Sequence, residues 1–84
     1  MNDMAMDKSI YSVRDLGLAA SLVSFGYTIA TTEHEPSGRV YFVFTPSTDL
    51  IETINAYWSD QLLVKARTYN DNIKMLKSRI YGRP

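Results

Sequence analysis

Residues 40–44 form an unbroken run of five apolar or aromatic residues, and this run constrains the fold more than any other part of the chain. Because β-branched and aromatic residues favour extended backbone, residues 39–45 are predicted to form a strand. Alternation places Val40, Phe42 and Phe44 on one face and the two residues between them on the other. Since both faces are apolar, we expect this strand to lie centrally in a sheet, with helices covering at least one side.

The central strand has a predicted partner immediately before it. Residues 27–33 are also rich in β-branched and aromatic residues. Between the two segments, Glu35-Pro36-Ser37-Gly38 is typical of a type I turn, in which proline fixes φ and glycine closes the turn. The two segments therefore predict a β-hairpin, and residues 9–11 predict a short edge strand beside it.

A first helix is predicted before the hairpin. Ser12, with Asp15 three residues later, indicates a capping box at the start of the helix, and Gly26 indicates its end. Apolar residues occupy most of its circumference, so we expect it to be buried on more than one side. Its small residues share one arc, where they favour close packing within the monomer over a contact between two copies. They are Gly17, Ala20, Ser21 and Ser24.

A second helix is predicted after the hairpin. Residues 46–49 break the strand and cap the helix, and Ser59 with Asp60 marks a break before the next one. The apolar positions of this second helix have helical spacing: Leu50, Ile51, Ile54, Tyr57 and Trp58.

The last helix is predicted to run from Leu62 to Ile80 as one continuous rod, before Gly82 and Pro84 end it. Its apolar residues are spaced 4, 3, 4, 3 and 4, a seam of nearly three heptads. The members of this seam are Leu62, Ala66, Tyr69, Ile73, Leu76 and Ile80. Because so long a seam can exceed what one small core covers, it also predicts a homodimer contact.

Together these segments predict a single α+β domain at residues 9–82, after a flexible N-terminal tail at residues 1–8. The predicted order is β-α-β-β-α-α, with a small antiparallel sheet of one short edge strand plus the β-hairpin. Three helices pack on one face of that sheet. No apolar run approaches the roughly 18 residues of a membrane span, and the polar start lacks a signal-peptide pattern, so we expect a cytoplasmic protein without membrane contact.

The net charge is zero, but charge is polarised along the chain. Residues 1–60 contain three Lys or Arg against eight Asp or Glu, a net charge of −5. Residues 61–84 contain six Lys or Arg against one Asp, a net charge of +5. The basic end of the chain is thus the part that predicts an acidic partner.

On the predicted last helix, basic, amide and tyrosine side chains flank the seam. One flank carries Arg67, Asn70, Lys74, Lys77 and Tyr81, and the other carries Lys65, Arg79 and Arg83 with Asn72. These residues indicate contact with an acidic partner, which is either a protein or the phosphates of a nucleic acid. Two alternatives remain open: the cations cover the edges of the seam with their methylene stems, or they lie near acidic neighbours of the same domain.

No residue pattern predicts catalysis, a metal site, a cofactor or a small-molecule ligand. The chain has no cysteine, which excludes disulfides and thiolate chemistry. His34 is the sole histidine. Neighbouring residues of a strand point to opposite faces, so Glu33, His34 and Glu35 cannot converge on one ion. We interpret His34 as a solvated turn residue.

Four aromatic residues are candidates for exposed binding positions: Tyr41, Tyr57, Trp58 and Tyr81. Of these, Trp58 is expected to fill the core rather than to face solvent, because a small domain needs large apolar side chains inside.

Three segments resemble a known family: residues 10–20 (IYSVRDLGLAA), 39–44 (RVYFVF) and 76–81 (LKSRIY). Over roughly residues 9–82 the chain is similar to a small uncharacterised domain family of bacterial, archaeal and phage proteins. The resemblance implies no activity, cofactor or ligand residue. It does imply a prokaryotic or phage setting, in which small domains act as regulators, inhibitors or nucleic-acid accessories.

These observations favour a small non-enzymatic binding module, encoded by a phage or mobile element, that acts as a regulatory or protein-interaction domain and forms a homodimer. The alternative is a nucleic-acid accessory protein that places Arg67, Lys74, Lys77 and Arg79 on phosphates.

Overall fold

The computed structural model describes residues 11–81, which form three strands and three helices. In chain order they are β1 (Tyr11–Val13), α1 (Leu16–Phe25), β2 (Ile29–His34), β3 (Val40–Phe44), α2 (Thr48–Trp58) and α3 (Ala66–Tyr81). The predicted α+β class and the order β-α-β-β-α-α are confirmed. The predicted tail at residues 1–8, with Ser9, Ile10, Gly82, Arg83 and Pro84, lies outside the described residues.

The sheet is antiparallel with strand order β1-β3-β2, so β3 is central as its two apolar faces predict. Phe44 lies opposite Tyr11 on one side and opposite Ile29 on the other. A bulge between Ile29 and Thr31 shifts the register of β2 against β3. β1 includes Ser12, which lies opposite Val43 of β3 in the sheet.

The turn between β2 and β3 has the predicted chemistry. The backbone N–H of Gly38 donates to the carbonyl of Glu35 (2.9 Å), and the N–H of Glu35 donates to the carbonyl of Arg39 (2.8 Å). Gly38 has a φ of 95°, a conformation that glycine adopts without a Cβ clash. A type I turn followed by a positive-φ residue is a common three-residue hairpin loop.

The core is built around β3. Phe42 and Phe44 are completely buried, and each helix contributes one completely buried leucine: Leu22 from α1, Leu50 from α2 and Leu76 from α3. These side chains belong to one cluster, so the three helices and β3 share a single core. None of the helices within residues 11–81 combines the length and the apolar character needed to cross a bilayer.

The first helix begins three residues later than predicted. Its N-cap is Asp15, whose Oδ1 accepts a hydrogen bond from the backbone N–H of Leu18 (2.9 Å). Ser12 cannot serve because it lies in β1. The predicted end is confirmed: Gly26, with a φ of 124°, donates its N–H to the carbonyls of Leu22 and Val23.

The small residues of α1 pack against the chain's own helices, as predicted. A Cβ placed on Gly17 would lie 2.7 Å from the hydroxyl oxygen of Tyr57 in α2 and 3.4 Å from that of Tyr69 in α3. Four residues further along, Ser21 is buried. Asn72 of α3 donates from Nδ2 to the Oγ of Ser24 (2.9 Å). The absence of bulk on this arc thus lets α2 and α3 approach α1 closely.

The prediction of one helical rod from Leu62 is wrong at its start, because α3 begins at Ala66. Asp60 has a φ of 62°, which turns the chain away from the end of α2. Along residues 62–65 the side chains alternate between half-buried and exposed, as in extended backbone. The extended conformation lets Leu62 and Val64 reach the same side of the domain, which they could not do two residues apart on a helix.

Candidate functional site: the groove between α2 and α3 and the outer face of α3

One face of α3 belongs to the core. Leu76 is completely buried, and Tyr69, Ile73 and Ile80 are half-buried against the core cluster. Ala66 is exposed, and Leu62 precedes the helix. Most of the predicted seam is therefore used within the monomer, and Leu76 has no surface left for a contact between two copies.

The opposite face of α3 carries five exposed side chains spaced 3, 4, 3 and 4 residues apart, which we call the basic stripe. Its members are Arg67, Asn70, Lys74, Lys77 and Tyr81. Helix geometry places them on an arc of about 80°, centred about 140° from Leu76. From its first to its last cation the stripe is about 15 Å long.

The charge of α3 is opposite to that of the rest of the described chain. Within α3 four cations stand against Asp71, a net charge of +3. Residues 11–65 contain three cations and six carboxylates, a net charge of −3. Among residues 11–81 one ion pair forms, between Arg67 Nε and Asp71 Oδ2 at 3.9 Å, and both side chains are largely exposed. Such a pair contributes at most about 1 kcal/mol, so solvent or a partner can replace it.

Two of the predicted contact residues lie away from the stripe. Lys65 precedes α3, and its carbonyl accepts the backbone N–H of Tyr69 (2.9 Å). Arg79 lies about 60° from Leu76 on the other flank of the helix. Both are exposed. The structure therefore brings together five of the seven predicted contact residues and separates two.

A groove of about 440 Å³ opens between the end of α2 and the start of α3. It is lined by Ser21, Tyr57, Trp58, Asp60, Leu62, Val64 and Tyr69. Trp58 is 61% exposed, so the prediction that it fills the core is wrong. Leu50, Thr53 and Ile54 occupy the inward face of α2 instead. The indole packs edge-on against the ring of Tyr57, with centroids 4.9 Å apart.

The polar part of the groove lies against the first turn of α1. The hydroxyls of Tyr57 and Tyr69 both approach Gly17, and the carboxylate of Asp15 is beside them. Burial raises the pKa of Tyr57, and the charge of Asp15 and the presence of Tyr69 raise it further. The Tyr57 phenol is consequently protonated at neutral pH and offers a hydrogen-bond donor, not a base.

Leu63 is 87% exposed and lies between Leu62 and Val64, which both line the groove. Because side chains alternate along extended backbone, Leu63 points away from the groove. The sequence carries a signal for this extended segment, because three consecutive apolar residues cannot all face one side of a helix. The signal was missed because the last helix was predicted to begin at Leu62.

From residue 8 to residue 82 the chain matches the family model of DUF5659, a domain of unknown function. The chain belongs to the DUF5659 family. The match confirms the predicted membership of an uncharacterised domain family. No curated protein and no solved structure matches the chain significantly.

The remaining residue that was considered as a metal ligand in the DUF5659 domain is His34, at the end of β2. Its side chain is exposed, in keeping with a solvated residue beside the turn. Across residues 11–81, no three histidine, aspartate or glutamate side chains lie close enough together to hold a metal ion. Within the part of the chain that the structure describes, two surfaces with a definite chemical character lie next to α3: the groove, which is aromatic and apolar, and the basic stripe.

Proposed function

We propose that this DUF5659 domain is a non-enzymatic binding module that recognises another protein through the groove between α2 and α3. The observation that carries the proposal is the exposure of Trp58 at the groove. Exposed tryptophan next to a concave surface is the arrangement found at the energetic centres of protein interfaces.

The energetics favour a protein partner for this surface. A tryptophan side chain buries about 150–250 Å² in an interface, and removing apolar area from water contributes roughly 25 cal/mol per Å². Covering the exposed part of Trp58 would therefore contribute a few kcal/mol to association, before the entropy cost of association is subtracted. The groove is open to solvent and not enclosed, which suits an inserted side chain better than a buried small molecule.

The titratable side chains of the groove support contact rather than catalysis. They are Tyr57, Asp60 and Tyr69. The raised pKa of Tyr57 makes its hydroxyl a weak acid and a poor nucleophile near neutral pH. A protonated phenol suits a hydrogen bond to a carbonyl of the partner.

The wider setting belongs to the same proposal: a cytoplasmic regulator or inhibitor encoded by a phage or mobile element. Self-association is the special case in which the partner is a second copy. Sedimentation of the wild-type domain at micromolar concentration tests this case, and a monomer at every concentration would eliminate the homodimer.

Site-specific photocrosslinking in host cells tests the protein contact. A photoreactive phenylalanine analogue at position 58, where its aromatic ring replaces the indole at the groove, is expected to trap one defined partner. The same analogue at Phe25, which is 52% exposed and does not line the groove, is the control and should not trap it.

The trapped partner then allows a quantitative test with purified proteins. Trp58→Ala should weaken its affinity by at least about 30-fold, the loss of a hot-spot residue, whereas Phe25→Ala should leave it within about twofold. Equal crosslinking from both positions, or equal affinity of the two variants, would contradict the proposed groove.

A further inference from the structure

We infer that the basic stripe of α3 binds the phosphodiester backbone of a nucleic acid, as a second surface that is separate from the groove. The inference does not depend on the protein contact, because none of the stripe residues lines the groove. The two surfaces together would make the domain an adapter that brings a protein to a nucleic acid.

The composition of the stripe suits a polyanion. Arg67, Lys74 and Lys77 supply charge, and Asn70 supplies an amide that can donate to a phosphate oxygen. Tyr81 is the one aromatic member of the stripe, and no member is aliphatic. The other four are three cations and an amide, a composition typical of backbone recognition in nucleic-acid complexes.

The charge of the whole domain orients such a contact. A polyanion is attracted by the net charge of +3 on α3 and repelled by the net charge of −3 on residues 11–65. An approach to the outer face of α3 brings phosphates near three of its cations, and Asp71 is the one carboxylate on that helix. This polarity favours a polyanion over a small phosphate ligand, for which a single local cation cluster suffices.

The stripe also has the length that a backbone requires. Its three cations extend about 15 Å along α3, an axial distance over which one strand of a duplex places about four phosphates at its 3.4 Å rise. Tyr81, which is 73% exposed, lies at the end of the stripe. An exposed aromatic ring can stack on an unpaired base but not on the paired bases of a duplex.

Salt-dependent binding of fluorescent oligonucleotides tests the inference with the full chain. The probes are a 20-nucleotide single strand and a 20-base-pair duplex, titrated between 20 and 200 mM salt. Three phosphate contacts predict that log affinity falls linearly with log salt, with a slope of about −2 for the single strand and about −3 for the duplex. Tyr81→Ala should weaken binding of the single strand and leave binding of the duplex unchanged. If it affects both probes equally, the contact is with the backbone alone.

Charge variants connect the result to the stripe. Arg67→Gln, Lys74→Gln and Lys77→Gln should each flatten the slope by close to one, and the triple variant should bring it close to zero. Arg39→Gln, which removes an exposed cation from the hairpin, is the control and should leave the slope unchanged. Circular dichroism of the triple variant should match the wild type, since all three side chains are exposed.

Three results would overturn the inference. The first is no binding of either probe at 20 mM salt, and the second is a triple variant that binds like the wild type. The third is equal or tighter binding of polyglutamate of the same charge, which would assign the stripe to an acidic protein. Trp58→Ala should retain nucleic-acid binding, so a failure at the groove and a failure at the stripe are distinguishable.

Discussion

The helices α1 and α3 pack against each other, yet they differ in how much of their surface the fold uses. In α1, five consecutive residues from Leu18 to Leu22 are buried, which covers the whole circumference of the helix. In α3, Leu76 alone is completely buried, and the opposite side is exposed. The fold therefore dictates nearly every residue of α1 but only one face of α3. The chemistry of the outer face of α3 is free to serve binding.

The largest expected effect is at the contact of α3 with the core. Leu76→Ala removes a completely buried side chain and should lower the free energy of unfolding by about 2–5 kcal/mol, because transfer and cavity costs add. Urea denaturation measures the change. Lys77→Ala, one residue away and exposed, is the matched control and should change the free energy by less than about 0.5 kcal/mol. Similar losses from both variants would refute the division of α3 into two faces.

A smaller effect is expected where α1 meets α2 and α3. Gly17→Ala places a methyl group 2.7 Å from the Tyr57 hydroxyl oxygen. Overpacking costs about 1–3 kcal/mol, and alanine returns roughly 1 kcal/mol of helix propensity, so we expect a net loss of about 1 kcal/mol in thermal or urea unfolding.

The cause of this loss can be separated from other effects by a double variant. Tyr57→Phe removes the oxygen atom that the new methyl group would meet. In that background Gly17→Ala should become neutral or stabilising. A loss that persists at full size without the hydroxyl would show that something other than this close approach requires glycine.

The smallest effect concerns the polar link between the two helices. Asn72→Ala removes the hydrogen bond from Nδ2 to the Oγ of Ser24, which is only partly buried, and should cost about 0.5 kcal/mol, while Asn70→Ala on the basic stripe should cost almost nothing. The two substitutions have the same chemistry on the same helix. If both variants lose the same free energy of unfolding in chemical denaturation, this hydrogen bond does not stabilise the contact between α1 and α3.

The local patterns of the sequence predicted the elements that depend on local chemistry. The apolar run of residues 40–44 predicted a central strand because both of its faces needed cover, and the spacing from Tyr69 to Ile80 predicted which side of the last helix meets the core. Each pattern is carried by several residues at regular spacing, so each prediction does not depend on any single residue.

The wrong predictions concern residues whose role depends on distant neighbours. Ser12 and Asp15 are both suitable N-caps, and the pairing of Ser12 with Val43 in the sheet decides between them. Trp58 is large and apolar enough for the core, but Phe42, Phe44 and the three helix leucines already fill the space over β3. The groove as a whole could not be predicted from local patterns, because its lining combines residues from α1, α2, α3 and the connection between α2 and α3.

The bulge in β2 has a consequence for how copies of the domain can meet. β2 is an edge strand, and a regular edge exposes unpaired N–H and C=O groups that a second copy can add to. The irregularity between Ile29 and Thr31, together with the exposed charge of Glu33 further along, makes a poor template for such extension. Growth of the sheet from molecule to molecule is thus disfavoured along β2, and a crowded solution of the domain is protected there against fibre formation.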